Sequence, residues 1–357
     1  MPDSDCGVAQ VVAHQAHNLA VVGSTPAPAP SEQVYTSTGA KYARHWPMIA
    51  ALRNGVGMPP SLQVSPTNRC NLRCVFCSVD ERDLKLEWDL ADLCDAITTM
   101  HALGVRTVEF SGGGDPTVYP HLPNLVKACQ AMGLQLGMIT NGILLKELPR
   151  ETLEAFTWIR VSMVTLDYYD TLVLPEPWPS NVTLGMSYVL SQINYTGGKR
   201  RANNDDYEGL KRARDYAIRY GARYVRCVPE CFTPGEDKMA EVHAYWEPLV
   251  ASLGPPLFFQ HKWQKQATAC WMDAVKPWLH TDGFLYPCNS VSLNTAAHRD
   301  FDPQWRLVHW TGALDYFSRR GAGSLGYVGR LCDRCTFTRN NAEIESLLVP
   351  LEHEAFA

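Results

Sequence analysis

The 357-residue sequence predicts an α/β fold: a partial (β/α)6 barrel followed by a small α+β unit. Three observations carry that expectation. Short β-rich runs alternate with helical stretches across residues 61–229, and strands joined by crossovers of that length pair in parallel. Cysteine- and glycine-bearing turns fall where those strands end, which is where such sheets hold their ligands. After Gly235 the alternation gives way to a different pattern.

Residues 1–40 are rich in Ala, Pro, Ser and Val, with an Ala-Pro alternation at 26–30 that neither a regular helix nor a central strand tolerates. They read as an arm. From Lys41 to Asn54 the apolar spacing suits a short amphipathic helix, which ends at Gly55 and leads through Pro59-Pro60 into the first strand. Residues 1–59 are therefore read as arm and helix, and 60–235 as the barrel. Its strands are expected at 61–66, 106–111, 134–140, 158–164, 182–190 and 223–229, with helices at 89–103, 121–132, 147–156 and 205–220. The remainder, 236–357, reads as a second unit. It holds a helix at 238–251, an aromatic stretch at 257–263, a hairpin with Asp282-Gly283 at its tip and a final helix at about 340–348.

The composition is 46% hydrophobic and 19% charged, within the globular range, and no apolar run approaches the ~20 residues of a membrane-crossing helix. The first 45 residues lack a basic start followed by an apolar segment, so a cytoplasmic chain is expected. In that compartment 12 cysteines suggest a metal inventory before a disulfide framework. A net charge of −5 argues against a global nucleic-acid surface. One local stretch, Lys199–Arg226, has nine Lys and Arg against four Asp and Glu, and reads either as a solvated helix face or as contacts to a phosphate-bearing substrate.

The chemistry concentrates in Cys70-Asn71-Leu72-Arg73-Cys74-Val75-Phe76-Cys77, directly after the first strand. Three thiols so spaced can wrap one corner of an iron–sulfur cube and leave its fourth iron open. A zinc site or a structural cluster would want a fourth ligand nearby, and the next cysteine, Cys94, lies inside an expected helix. Cys-x3-Cys-x2-Cys following the first strand of a TIM-like partial barrel, with the aromatic Phe76 before the last cysteine, resembles the radical S-adenosylmethionine (SAM) superfamily. That resemblance implies a [4Fe–4S] cluster on Cys70, Cys74 and Cys77 whose open iron is chelated by SAM. It further implies reductive cleavage of SAM to a 5′-deoxyadenosyl radical, and an external one-electron donor such as flavodoxin or ferredoxin.

Gly112-Gly113-Gly114-Asp115 ends the second strand, and glycines let backbone come close to a ligand. The run resembles the superfamily's Gly-Gly-Glu motif for the SAM amino group, with an extra glycine and Asp in place of Glu. Thr140 and Asn141, and Ser162 after Arg160, resemble segments facing the SAM ribose and methionine, although Asn141-Gly142 also reads as a plain turn. Arg226 on the last barrel strand is a candidate partner for a carboxylate.

Four further cysteines have a telling spacing: Cys270, Gly283, Cys288 and, later, Cys332 and Cys335. Four thiols make a closed set for zinc or for iron–sulfur. The pattern resembles the Twitch domain, the shortened form of the SPASM extension of radical SAM enzymes. It implies an auxiliary [4Fe–4S] cluster that relays an electron. Cys6, Cys94, Cys129, Cys227 and Cys231 have no such spacing; Cys94 and Cys129 read as buried small hydrophobes, and Cys227 and Cys231 as flanking the active site.

The expected function is radical oxidoreduction or isomerisation of a small molecule. Alternatives are a nucleotide or a hypermodified thymidine in phage-type DNA, with Tyr195, Tyr207, Trp263 and Trp271 available for stacking, a peptide substrate, or a zinc scaffold. Glu230, His261 and Tyr286 are acid or base candidates by position alone.

Overall fold

A computed structural model describes residues 32–74, 76–169, 171–190, 207–231, 235–294, 303–324 and 331–350. Cys6, Tyr195 and the Lys199–Asp206 part of the basic stretch lie outside them. After α1 (Trp46–Arg53) comes β1 (Ser61–Val64), followed by α2 (Leu90–Ala102), β2 (Thr107–Phe110), α3 (Leu122–Ala131), β3 (Gln135–Thr140), α4 (Arg150–Glu154), β4 (Phe156–Ser162), β5 (Thr183–Leu190), α5 (Tyr207–Arg219) and β6 (Tyr224–Pro229). These are the six strands expected, each paired in parallel with the next.

A seventh parallel strand, β7 (Leu257–Phe259), follows α6 (Gly235–Leu253) and pairs with β6, so the barrel runs past residue 235. The sequence reading had only an aromatic stretch there, because three residues are too few to show an alternation. At the opposite edge β8 (Trp278–Leu279) pairs in parallel with β1. The antiparallel β9 (Phe284–Tyr286) and β10 (Val308–His309) extend the same sheet, in the order β10-β9-β8-β1-β2-β3-β4-β5-β6-β7. The hairpin at Asp282-Gly283 is present, with Gly283 at φ 84 and the Asp282 side chain accepting from Phe284 N at 3.1 Å.

Local sequence explains most element ends. Asp89 caps α2 by accepting from Ala91 N at 2.8 Å and Asp92 N at 3.3 Å. The helix expected at 147–156 is cut to Arg150–Glu154 because Pro149, in an extended conformation, can only precede a helix. Likewise the helix expected at 41–54 divides into Gly39–Tyr42 and α1, where Pro47 takes a first-turn position. The last helix, α7, spans Thr338–Leu348.

Residues of each barrel strand alternate between two environments. Leu62, Val64, Phe110, Met138 and Val161 are buried in the core beneath the helices, whereas Gln63, Glu109, Arg160, Ser187 and Arg226 face a central cavity of about 1670 Å³. A second core joins the two chain ends. Met48, Ile49 and Leu52 of α1 pack with Trp271, Trp278, Tyr286, Trp305 and Ile344, and Arg53 donates to the Leu347 carbonyl at 2.9 Å. The described part of the arm is no loose tail: Tyr35 stacks on Tyr224 with ring centroids 4.1 Å apart.

Candidate functional site

The cysteine turn is framed before its thiols are placed. Asn68 N donates to the Leu86 carbonyl at 2.9 Å and Trp88 N to the Pro66 carbonyl at 3.1 Å, while Arg69 pairs with Glu87. Chain on both sides of the turn is thereby pinned. Cys70, Cys74 and Cys77 all line the central cavity, with Phe76 beside them. Burial pushes the Cys70 and Cys77 thiols up. Three thiols opening on a large cavity fit a cube whose fourth corner faces that cavity.

Arg82, which the sequence reading missed, donates to the Asn68 carbonyl at 2.6 Å, to the Val79 carbonyl at 2.8 Å and to Cys77 Sγ at 3.7 Å. A cation there offsets thiolate charge. No motif announces it; only the folded loop brings it back to the turn.

Gly112, Gly113 and Gly114 line the cavity, and they also accommodate the cysteine loop. A Cβ on Gly114 would lie 1.8 Å from the Arg69 carbonyl oxygen, and one on Gly112 would meet the Trp278 ring at 2.5 Å. Trp278 donates to Ser65 Oγ, which in turn donates to the Ser111 carbonyl, so β8, β1 and the glycine run are tied together. Backbone approach is therefore one physical reason for the run.

Asp115 does not line the cavity. Its buried carboxylate accepts from Thr117 N at 2.9 Å, Thr117 Oγ1 at 2.6 Å, Thr140 Oγ1 at 2.9 Å and Asn141 N at 2.7 Å. It stitches the second strand's turn to the third. Thr140 and Asn141 also lie behind the cavity wall, and Asn141 Nδ2 donates to Asn71 Oδ1 at 2.6 Å and approaches Cys70 Sγ at 3.9 Å. Ser162 and Arg226 do face the cavity.

The acid–base candidates separate. His261 lines the cavity and pairs with Glu247 at 3.2 Å. Glu230 is buried and outside the lining. Tyr286 is corrected: it is wholly buried and donates to Asp282 at 2.8 Å, away from the cavity. Of the aromatic candidates, Trp263 faces the cavity, Trp271 is buried beneath the Arg320 guanidinium and Tyr207 is partly exposed. Arg226 points inward, so it leaves the basic stretch. Cys231 also lines the cavity, with Lys262 Nζ 2.7 Å from its Sγ, whereas Cys129 and Cys227 are buried in the core.

Cys270, Cys288, Cys332 and Cys335 converge on one apolar pocket. Lys265 and Ala267 pair with the backbone of Cys335 and Cys332. Asn341 of α7 accepts from Trp271 N at 2.8 Å and approaches Cys335 Sγ at 3.9 Å, while Phe337 N donates to that sulfur at 3.3 Å. Burial raises the Cys270, Cys288 and Cys335 thiols, with neighbouring thiols adding to the shift at Cys270 and Cys288. Four thiols sharing a dry pocket, with N–H donors at one sulfur, fit a cluster's ligand chemistry. Among the described residues no group of three His, Cys, Asp or Glu is gathered tightly enough to hold one metal ion. The fit thus rests on convergence, not on a preformed coordination polyhedron.

Known proteins match this site. The Radical SAM superfamily pattern matches residues 64–225. A PqqA peptide cyclase of Streptomyces rochei is 33% identical over 90 residues, covering 25% of this chain and 24% of that protein. A GTP 3′,8-cyclase of Chlorobaculum tepidum is 31% identical over 110 residues, covering 30% and 33% respectively. The chain thus spans a third or less of the length of these two relatives. The crystal structure of Streptococcus suis SuiB shares the fold, with a TM-score of 0.50 at 14% identity over 87% of this chain and 75% of that one. No described helix is long and apolar enough to cross a membrane. The three cysteines that open on the barrel cavity lie inside the matched segment, residues 64–225, so the site falls in the part of the chain that is similar to the Radical SAM superfamily.

Proposed function

We propose that this chain is a radical SAM oxidoreductase or isomerase acting on a small polar molecule, nucleotides included, held inside the barrel. The observation that carries it is the cavity of about 1670 Å³, with Cys70, Cys74 and Cys77 on its wall and charged side chains on its inner strands. A cavity of that size takes the adenosyl cofactor and a second compound together. When bound, the cluster and SAM supply a 5′-deoxyadenosyl radical that abstracts hydrogen from the substrate. The chain's own part is positional. Cys70, Cys74 and Cys77 hold three irons, Arg82 stabilises the Cys77 thiolate, and the backbone of Gly112–Gly114 receives the methionine end of SAM. The inward side chains of β1, β2, β4, β5 and β6 hold the substrate out of bulk water.

Cys270, Cys288, Cys332 and Cys335 would hold a second, fully ligated [4Fe–4S] cluster of Twitch type, and that group would supply one-electron relay chemistry.

The experiment is anaerobic reconstitution with iron, sulfide, SAM and dithionite. The expected result is about eight irons per chain and formation of 5′-deoxyadenosine. Replacing Cys70, Cys74 and Cys77 by Ala removes half the iron and all of the 5′-deoxyadenosine. Replacing the other four removes the other half. Zinc in place of iron at the second set refutes the relay, and a wild-type protein that holds iron yet yields no 5′-deoxyadenosine refutes the radical reading.

A further inference from the structure

The cavity's charge is lopsided. Among the described residues that line it, Glu109 is the one carboxylate, against eight Lys and Arg, although the chain as a whole carries a net charge of −5. Most of those cations are already engaged. Lys276 pairs with Glu109 at 3.3 Å, Lys265 with Glu236 at 2.8 Å and Arg339 with Glu343 at 3.1 Å. Lys262 contacts Cys231 Sγ, Arg82 is bound into the cysteine turn, and Lys41 donates to the Val34 carbonyl.

Arg160 and Arg226 remain. The Nε of each is buried without a hydrogen-bond partner among the described residues, and Arg160 is 9% exposed. The Glu109 carboxylate acts on both guanidinium groups through its charge, but Lys276 takes its hydrogen bond; a buried guanidinium short of hydrogen-bond acceptors is costly, and an arriving anion recovers that cost. The two side chains belong together. Arg160 on β4 is in register with Gly185 of β5, and Arg226 on β6 with Ser187, so they flank one strand from its two sides. Adjacent strands lie about 4.8 Å apart and each residue rises about 3.3 Å, so two strand spacings and the two-residue offset put the two backbones about 12 Å from each other. Two long side chains reaching inward from that separation can share one small oxyanion.

Below them the floor is aromatic. The Arg160 guanidinium lies 5.6 Å from the Trp158 ring centroid, Trp158 fills the space over Gly137, and Tyr224, backed by Tyr35, fills that over Gly185. Burial and the nearby Arg160 depress Arg226 to about 9, which leaves it charged at neutral pH. Aromatic faces beneath the two charges lower the local dielectric, which strengthens any ion pair formed there.

We propose that Arg160 and Arg226 together bind an oxyanion of the substrate, a carboxylate or a phosphate, on the aromatic floor of the barrel. This rests on the cavity being the substrate site, and it gives the substrate a class: a compound whose anionic end lies deep and whose reacting carbon faces the cysteine turn. The planar fork of arginine suits both oxyanions.

The test is isothermal titration of the reconstituted protein with inorganic phosphate and, separately, with malonate. Saturable binding of one of them is expected, and the responding anion names the group. Arg160→Gln and Arg226→Gln each weaken it by about tenfold or more. The responding anion, at saturation, raises the melting temperature of the wild type and not that of the double variant; a purely structural role of the two arginines would leave that rise in place. No saturable binding of either anion, binding unchanged in the variants, or a rise in melting temperature retained by the double variant overturns the inference. So does an Arg226→Gln protein that keeps the anion and loses SAM. SAM cleavage by the wild type is measured on the same preparation. Cleavage without anion binding sinks this inference alone, whereas absent cleavage sinks the radical reading beneath it.

Discussion

Replacing Gly114 by Ala should disable the cysteine turn without unfolding the chain. The added methyl would lie 1.8 Å from the Arg69 carbonyl oxygen, 2.5 Å from its carbon and 2.6 Å from that of Asn68. These are backbone atoms one and two residues before Cys70, so no rotamer change relieves the contact. The loop must retreat by more than about 1 Å to reach a tolerable distance. Retreat stretches the Gly114 N to Thr67 carbonyl bond of 2.8 Å and the Asp115 N to Arg69 carbonyl bond of 2.9 Å. Overpacking costs about 1–3 kcal/mol and each of the two weakened hydrogen bonds about 1 kcal/mol, a total of about 3–5 kcal/mol. Set against a typical stability of about 5–15 kcal/mol, the protein stays folded and melts about 4–7 °C lower. Cys70 is displaced, so the iron held with Cys74 and Cys77 is lost. The assay is iron and sulfide content after anaerobic reconstitution, with a thermal melt of the same sample. Gly133→Ala is the control: its φ of 72 carries strain of about 1 kcal/mol, but nothing lies within 4 Å of the new methyl, and iron is retained. A Gly114→Ala protein with wild-type iron and melting temperature would refute the packing argument.

The ion pair between Arg320 and Asp273 is wholly buried, with contacts of 2.6 and 2.8 Å, three residues from Cys270. Asp273→Ala should cost about 3–5 kcal/mol in urea denaturation, and the apolar pair Asp273→Leu with Arg320→Met should recover most of it; a loss below about 1 kcal/mol for the single variant contradicts this. At the hairpin, burial raises the Asp282 carboxyl, but hydrogen bonds and charge from His280, with Phe284 N and Tyr286, outweigh it and hold the group at about 2, below its ordinary 3.8. A depressed carboxyl stabilises the fold above its unfolded value and loses that contribution as pH falls towards about 2. Wild type should therefore lose about 2 kcal/mol between pH 4 and pH 2 that Asp282→Asn does not lose, and equal losses in the two proteins would exclude Asp282 as the source.

Local features were legible in advance. Cys70, Cys74 and Cys77 lie within one short loop, so their chemistry depends on spacing that any fold of that loop preserves. The six barrel strands announced themselves because each is long enough to show its pattern between recognisable helices. Cys270, Cys288, Cys332 and Cys335 were recognisable as a set, but their meeting in one pocket depends on Lys265 and Ala267 pairing with chain some 70 residues later.

Other features had no local signal. The short helix Met272–Val275 leads through Lys276 and Pro277 into the two-residue β8, which carries no periodicity, yet β8 closes on β1 and puts Trp278 against Gly112. Asp115 sits where a cofactor ligand was expected, and its carboxylate is instead taken up by Thr117, Thr140 and Asn141, because the ends of β2 and β3 lie side by side. Tyr286 stood near the right turn in the chain and is packed on Asp282 behind it.

Residue type and spacing, read along the chain, were enough to single out the three-cysteine loop as a candidate cluster site, because metal-ligand chemistry needs only a few thiols close together. Direction was decided by the tertiary structure alone. Whether Arg226 faces solvent or the barrel, whether Arg160 meets it across β5, and whether Arg82 returns to Cys77 all follow from strand register and loop closure. A shift of one residue in register would turn each strand's inward side chains outward, and no stretch of neighbouring residues encodes that choice.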